Sequence, residues 1–246
     1  MRSFWRVLSA ERLKMSKSHI WLLVIGSPAV AVLLGALANM QEDGQPVTWE
    51  VLLSVMSLIH AMLFLPVLSG VFAALICRAE HADGGWKLLL ALPVTRTSVY
   101  LAKYTMVMVL LAAVQLLFFA VLLGVGLLRG VDAPVPWALL LSSIFGGWLA
   151  CLPLAALQLA VSQSWNSFGA PLALNVSLTI PNILIANSVT YGPYYPWVQP
   201  MLAMSPFGGD RFGAFNLPIQ SLMIVVFGSL ALFLAAGLLS FWRKAV

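Results

Sequence analysis

Long apolar runs alternate with short polar interruptions along this chain, and the runs are too long and too uniform to be one face of a soluble helix. They cover about residues 20–39, 51–76, 99–128, 137–162, 168–189 and 217–241. Each suits the roughly 20 residues that a helix needs to cross the hydrocarbon core of a bilayer. Pro66 lies inside the second run and predicts a kink there. Residues 1–18 follow another pattern: Phe4, Trp5, Leu8 and Leu13 fall near one helical face, with Arg2, Arg6, Arg12, Lys14 and Lys17 interspersed. That spacing predicts an amphipathic helix in the membrane interface, its basic side toward anionic headgroups. A cleaved signal peptide would end in a small-residue pattern and lead into a soluble domain. Further apolar runs follow instead, so the segment is read as retained.

Composition agrees with the pattern. Of 246 residues, 61% are hydrophobic and only 9% charged, against about 25% charged in soluble domains. The mean hydropathy is +0.98. The expected fold class is therefore an all-α polytopic membrane protein, one transmembrane domain over 1–246 with six spans and short loops. Cys77 falls at the end of one span and Cys151 inside another, which suits small apolar packing residues better than a disulfide framework.

Charge sets the orientation. An even number of spans puts both termini on one side, which then collects Arg2, Arg6, Arg12, Lys14, Lys17, Arg78, Lys87, Arg96, Lys103, Arg243 and Lys244. Those are eleven of the 13 basic residues, and only Arg129 and Arg211 lie opposite. The positive-inside rule makes the basic side cytoplasmic. The net charge of +5 is thus a topology signal and calls for no nucleic acid.

The segment 77–98 interrupts two spans on that basic side. Asp83 is placed to cap a short helix that begins at Gly84-Gly85. Trp86, Leu89 and Leu90 then share one face at i, i+3 and i+4, and Pro93 ends the helix. Thr95 or Thr97 caps the next span. A helix of two turns is not stable alone, so it needs a bilayer surface or a protein groove.

Recognisable reaction chemistry is missing from the sequence. It contains no GxxxxGK[ST] phosphate loop, HExxH, CxxC or GxSxG motif. The spans carry no Asp, Glu, Lys or Arg except near their ends, which argues against ion-coupled transport. An intramembrane enzyme would need paired Glu or His residues, and His60 stands alone. His60 reads as a neutral imidazole hydrogen-bonded across a helix interface. Gln115, Gln158, Asn175 and Asn182 read as interhelical partners worth about 1 kcal/mol each, or with His60 as the lining of a translocation path. The segment 190–216 is long for a loop and rich in aromatic residues, among them Tyr191, Tyr194, Trp197, Phe207 and Phe212. It forms either an aromatic belt at headgroup level or a re-entrant cap over the outer mouth.

Glu80, Gly84-Gly85, Trp86-Lys87, the leucine run 88–92 with Pro93, then Arg96 and Tyr100-x-x-Lys103 make a pattern that resembles the first cytoplasmic loop of ABC-2 type permeases, the type V exporter-like proteins. More narrowly, it resembles the small six-span permeases of lantibiotic immunity and bacitracin resistance. Gly85 departs from that pattern, since relatives often have a polar residue there. The resemblance implies a bacterial plasma-membrane permease, paired with an identical or related second permease chain and with two copies of a separate ATPase that carries ATP and Mg. The permease itself would bind no cofactor and catalyse no reaction. It would export an amphipathic peptide or a lipid-like compound. In such proteins the loop is a coupling helix that docks on the ATPase, which here assigns Glu80, Asp83, Gly84, Trp86, Lys87, Leu89 and Leu90 to that interface. The interfacial helix, with Phe4, Trp5, Arg6, Leu8 and Arg12, would assist. Sodium, lipid or polysaccharide precursor as cargo, or a scaffold or sensor that transports nothing, are the alternatives.

Overall fold

A computed structural model describes residues 2–16, 18–38, 47–81, 85–188, 190–205, 211–212 and 217–243. Among the described residues the protein is helical apart from one antiparallel pair of two-residue strands, β1 (Arg211–Phe212) and β2 (Leu217–Pro218). Its helices are α1 (Arg2–Ser16), α2 (Ile20–Leu37), α3 (Trp49–His81), α4 (Gly85–Ala91), α5 (Arg96–Leu128), α6 (Trp137–Ser164), α7 (Gly169–Ile185), α8 (Gln199–Met204) and α9 (Ile219–Arg243). Among the described residues, α2, α3, α5, α6 and α9 are long and apolar enough to cross a membrane.

The span expected over 168–189 is a shorter and broken helix. α7 stops at Thr179 and resumes at Asn182, because Pro181 has no N–H with which to continue the ladder. The bonds across the break tighten to three residues, from Ile183 N to Ile180 O and from Leu184 N to Pro181 O. Even unbroken, its 17 residues would reach about 25 Å, short of a ~30 Å core.

The kink expected at Pro66 takes the form of a π-helical turn, His60–Phe64, just before the proline. Pro66 has no N–H to offer the Met62 carbonyl, and Asn182 Nδ2 donates to that oxygen at 2.9 Å. α7 thus supplies the hydrogen bond that α3 lacks. α6 instead tightens at Cys151, two residues before Pro153, where the Cys151 N–H bonds three residues back to Trp148 O at 3.1 Å.

Helix ends follow local chemistry. Thr48 Oγ1 accepts from Val51 N–H at 3.3 Å and Thr95 Oγ1 from Ser98 N–H at 3.2 Å, so Thr95 caps α5. α5 closes in a Schellman motif: Gly130 takes φ 66°, its N–H meets Leu127 O, and Val131 N–H meets Gly126 O. Arg129 reaches from that turn to Gly35 O, Ala36 O and Ala38 O at 3.0, 2.7 and 2.7 Å. The guanidinium therefore caps the carbonyl end of α2, the negative pole of that helix.

α5 is the axis of the bundle. Tyr100, Lys103, Val107, Leu111, Val114, Phe118 and Leu122 are buried along it, and α1, α2, α3, α6 and α9 pack around it. α9 is peripheral: 17% of its apolar window is buried, against 50% for α3 and α5. It lies against α6, and Gly237 admits the Tyr100 ring between them.

Candidate functional site

One end of the bundle gathers α1, α4, the start of α5 and the last turns of α3, α6 and α9. At its centre is a ring of four charges. Lys14 Nζ lies 3.0 Å from Glu11 Oε1 and 2.6 Å from Glu80 Oε1. Lys103 Nζ lies 3.1 Å from Glu11 Oε1 and 2.9 Å from Glu80 Oε2. Lys103 also donates to Ile76 O at 3.0 Å, the carbonyl one turn before Glu80. Glu11, Glu80 and Lys103 are buried and Lys14 is exposed at the rim. Burial by itself would lower the Lys14 pKa, but the Glu80 and Glu11 carboxylates beside it leave it above the usual lysine value. Two ammonium groups face two carboxylates, so four charges sit in a largely apolar region without net charge.

Next to the ring, α4 is held by one side chain. Trp86 is buried, and its Nε1–H donates to His81 Nδ1 at 3.2 Å. His81 Nε2 lies 2.7 Å from Ser162 O, a group that only accepts, so His81 is the neutral tautomer with its proton on Nε2. The Trp86 ring meets Phe241 edge to face at 5.4 Å, and Lys103 Nζ stands 5.7 Å from its centroid. Phe241 in turn packs on Tyr100. Arg96 donates to Phe241 O and Trp242 O at 2.9 and 2.8 Å, capping the end of α9. Through these contacts Trp86 joins α4 to α3, α5 and α9.

The residues carried over from the loop resemblance therefore divide. Glu80 and Trp86 face their own chain, and Leu89 and Leu90 are half-buried against the core. Lys87 points outward, as do Leu88, which is 71% exposed, and Leu92 at 55%. Asp83 and Gly84 lie outside the described residues. In α1 the inner face is Val7, Glu11 and Met15, with Phe4 and Leu8 half-buried, while Trp5, Arg6, Arg12 and Leu13 face out. Glu11 received no role from sequence. Its signal was available: it is the one acid among the five basic residues of 1–18 and sits four residues from both Val7 and Met15.

The polar residues of the interior form two hydrogen-bonded chains. In the first, His60 Nδ1 lies 2.6 Å from Ser27 Oγ and Nε2 lies 3.0 Å from Gln115 Oε1. Gln115 Nε2 donates to Ile144 O at 3.2 Å, which fixes its amide orientation and leaves Oε1 to accept from His60 Nε2–H. The ring also stacks on Phe118 at 4.1 Å. α2, α3, α5 and α6 are joined this way. In the second, Asn175 Oδ1 accepts from Gln158 Nε2 at 2.9 Å and from Trp197 Nε1 at 3.0 Å. Its Nδ2 donates to Pro66 O and Val67 O at 2.9 and 3.2 Å. Asn182 Nδ2 is shared between Met62 O and Trp197 O, both at 2.9 Å. His60, Gln115, Gln158, Asn175 and Asn182 are all buried in this conformation, where they link helices.

The segment 190–205 folds back on the helices. Trp197 is buried on Asn175, and Tyr195 O–H donates to Leu178 O at 2.6 Å. Gln199, overlooked in the sequence, is buried and donates to Pro193 O at 2.7 Å. Met204 reaches Gln115, halfway along α5. Tyr191 and Tyr194 stay exposed. Phe207 lies outside the described residues, and Phe212 is described only as part of β1.

Residues 7–182 match the model of a family described as "ABC-2 family transporter protein". No curated protein matches the chain.

Proposed function

The chain belongs to the ABC-2 family of transporter proteins, and from that premise we propose that it is the permease subunit of a bacterial exporter whose cargo is an antimicrobial peptide of the lantibiotic or bacitracin kind, or another amphipathic compound. Family membership implies an ABC ATPase partner. In the proposed assembly two ATPase copies, carrying ATP and Mg, serve two permease chains. The basic end of the bundle faces the cytoplasm, following the charge asymmetry.

The observation that carries this reading is the construction of α4. Seven residues do not make a stable helix by themselves. Trp86 nevertheless fixes α4 to the ends of α3, α5 and α9, while Lys87, Leu88 and Leu92 are turned away from the bundle. An ATPase that grips the outer face displaces α4, and Trp86 with the ion ring transmits that displacement to α3 and α5. Because packed helices shift between discrete arrangements, the movement of a short lever is passed on to the spans.

Purification of the chain from native membranes tests this reading. A P-loop ATPase should accompany it, and Leu88→Arg should release that ATPase. If no ATPase associates, the proposal fails. Export is tested in proteoliposomes containing both subunits, in which ATP should drive movement of a bacitracin-like peptide. ATP-driven movement of lipid without peptide would replace the proposed cargo.

A further inference from the structure

A groove of about 690 Å³ opens between the α1–α2 junction and the last turns of α3, within the roughly 300–1,000 Å³ of small-ligand sites. Its lining is sorted by polarity. Lys14, His19 and Arg78 are its polar lining residues, and no carboxylate lines it among the described residues. Leu22, Leu23 and Leu75 line its apolar part, about one helical turn, or roughly 5 Å, along α2 and α3 from His19 and Arg78. Cations beside an apolar channel match a molecule with an anionic head and a hydrocarbon tail.

We propose that this groove binds one anionic phospholipid from the leaflet on which α1 lies, its phosphate against Arg78, His19 and Lys14 and an acyl chain along Leu22, Leu23 and Leu75. Two features support a lipid over a peptide. Leu22 is 67% exposed on the outer face of α2, so the apolar part opens sideways toward the bilayer. A cationic amphipathic peptide would meet the cations of the lining, and like charges repel. Arg78 is the principal phosphate contact. Lys14 is partly neutralised by Glu11 and Glu80, whereas Arg78, which also borders a second pocket where its guanidinium lies 5.6 Å from the Phe168 centroid, has no carboxylate partner among the described residues. A lipid held here bridges α1 to α3 beside the ion ring. The site depends neither on the ATPase partnership nor on the cargo proposed above.

The full-length protein, reconstituted in vesicles of equal parts phosphatidylglycerol and phosphatidylcholine and then extracted in mild detergent, is the test object. Retained lipid is measured by native mass spectrometry, and folding of each variant by thermal unfolding. The wild type should retain one phosphatidylglycerol per chain in preference to phosphatidylcholine. Arg78→Gln should lower that retention by about fivefold, the factor expected for one basic residue at an anionic surface. Leu75→Trp, which fills the apolar part and keeps the charges, should abolish it. Equal retention of the two lipids by the wild type overturns the proposal, and so does unchanged phosphatidylglycerol in either folded variant. Displacement of the bound lipid by a cationic amphipathic peptide would assign the groove to a peptide and overturn it as well.

Discussion

The Lys103 ammonium lies 3.1 Å from the Glu11 carboxylate, although 92 residues separate them. That contact, closed into a ring by Lys14 and Glu80, ties α1 to the axis of the bundle where α4 is anchored. A movement of α1 or α4 is therefore felt at α5 and α3, whichever is pushed first.

Removing one member of the ring should be costly. Lys103→Met leaves two buried carboxylates with Lys14 as their one remaining ammonium partner in the ring, and should destabilise the protein by about 3–5 kcal/mol. The double variant Lys103→Met with Glu80→Met retains the Glu11–Lys14 pair and should recover most of the loss. Thermal unfolding in detergent for the two singles and the double makes the cycle. Equal and additive losses would show that the ring is not a unit.

Trp86 and Leu88 should separate anchoring from docking. Trp86→Ala removes a buried ring, a change that costs about 3–5 kcal/mol in tightly packed cores, and should speed backbone hydrogen exchange throughout α4. Leu88→Arg changes an exposed side chain and should leave that exchange as it is. Within the proposed complex, Trp86→Ala should lower transport-coupled ATP hydrolysis with the ATPase still bound. If both variants exchange alike, Trp86 is not the anchor.

Asn175 should matter more than Gln115. Asn175→Leu strands the Trp197 N–H, the Gln158 amide and the Pro66 and Val67 carbonyls, and should destabilise by about 2–3 kcal/mol. Gln115→Leu interrupts the simpler chain from His60 and should cost about 1 kcal/mol. Chemical unfolding in mixed micelles compares the two, and the reverse order would displace Asn175 as the hub of the interior.

A methyl group at Gly237 would meet the Tyr100 hydroxyl and ring and then Ala160. Gly237→Ala should cost about 1–3 kcal/mol by overpacking. Tyr100→Phe removes the nearest atom, at the expense of the bond to Ala156 O, and should rescue part of that loss when the two are combined. Absence of coupling in the double variant would mean that α9 shifts freely to make room.

Much of this arrangement was legible in the sequence. Five of the six apolar runs mark helices long enough to span a membrane, because hydrocarbon selects against charge residue by residue and the signal needs no partner. The start of α5 was readable down to Thr95 or Thr97, of which Thr95 is the cap, because caps act within a single turn. The neutral, bridged His60 was also readable: an imidazole with no carboxylate in the spans has only neutral partners. Trp86 illustrates the opposite case. Its place on the inner face with Leu89 and Leu90 was visible, yet nothing local indicated that the face closes on His81 and Phe241.

By itself, the sequence determined that this is a helical membrane protein with a basic end, where five of its long apolar helices lie, and which segment between them forms a short amphipathic helix. These properties rest on hydropathy and hydrogen bonding over a few neighbouring residues. Only the tertiary structure decided which face of α1 and α4 turns inward, that Glu11 pairs with Lys103, and that Asn182 supplies the hydrogen bond missing at Pro66. The physical reason is that a helix presents all its faces equally until packing fixes its rotation. Ion pairs between residues far apart in the chain leave no periodic trace by which to find them.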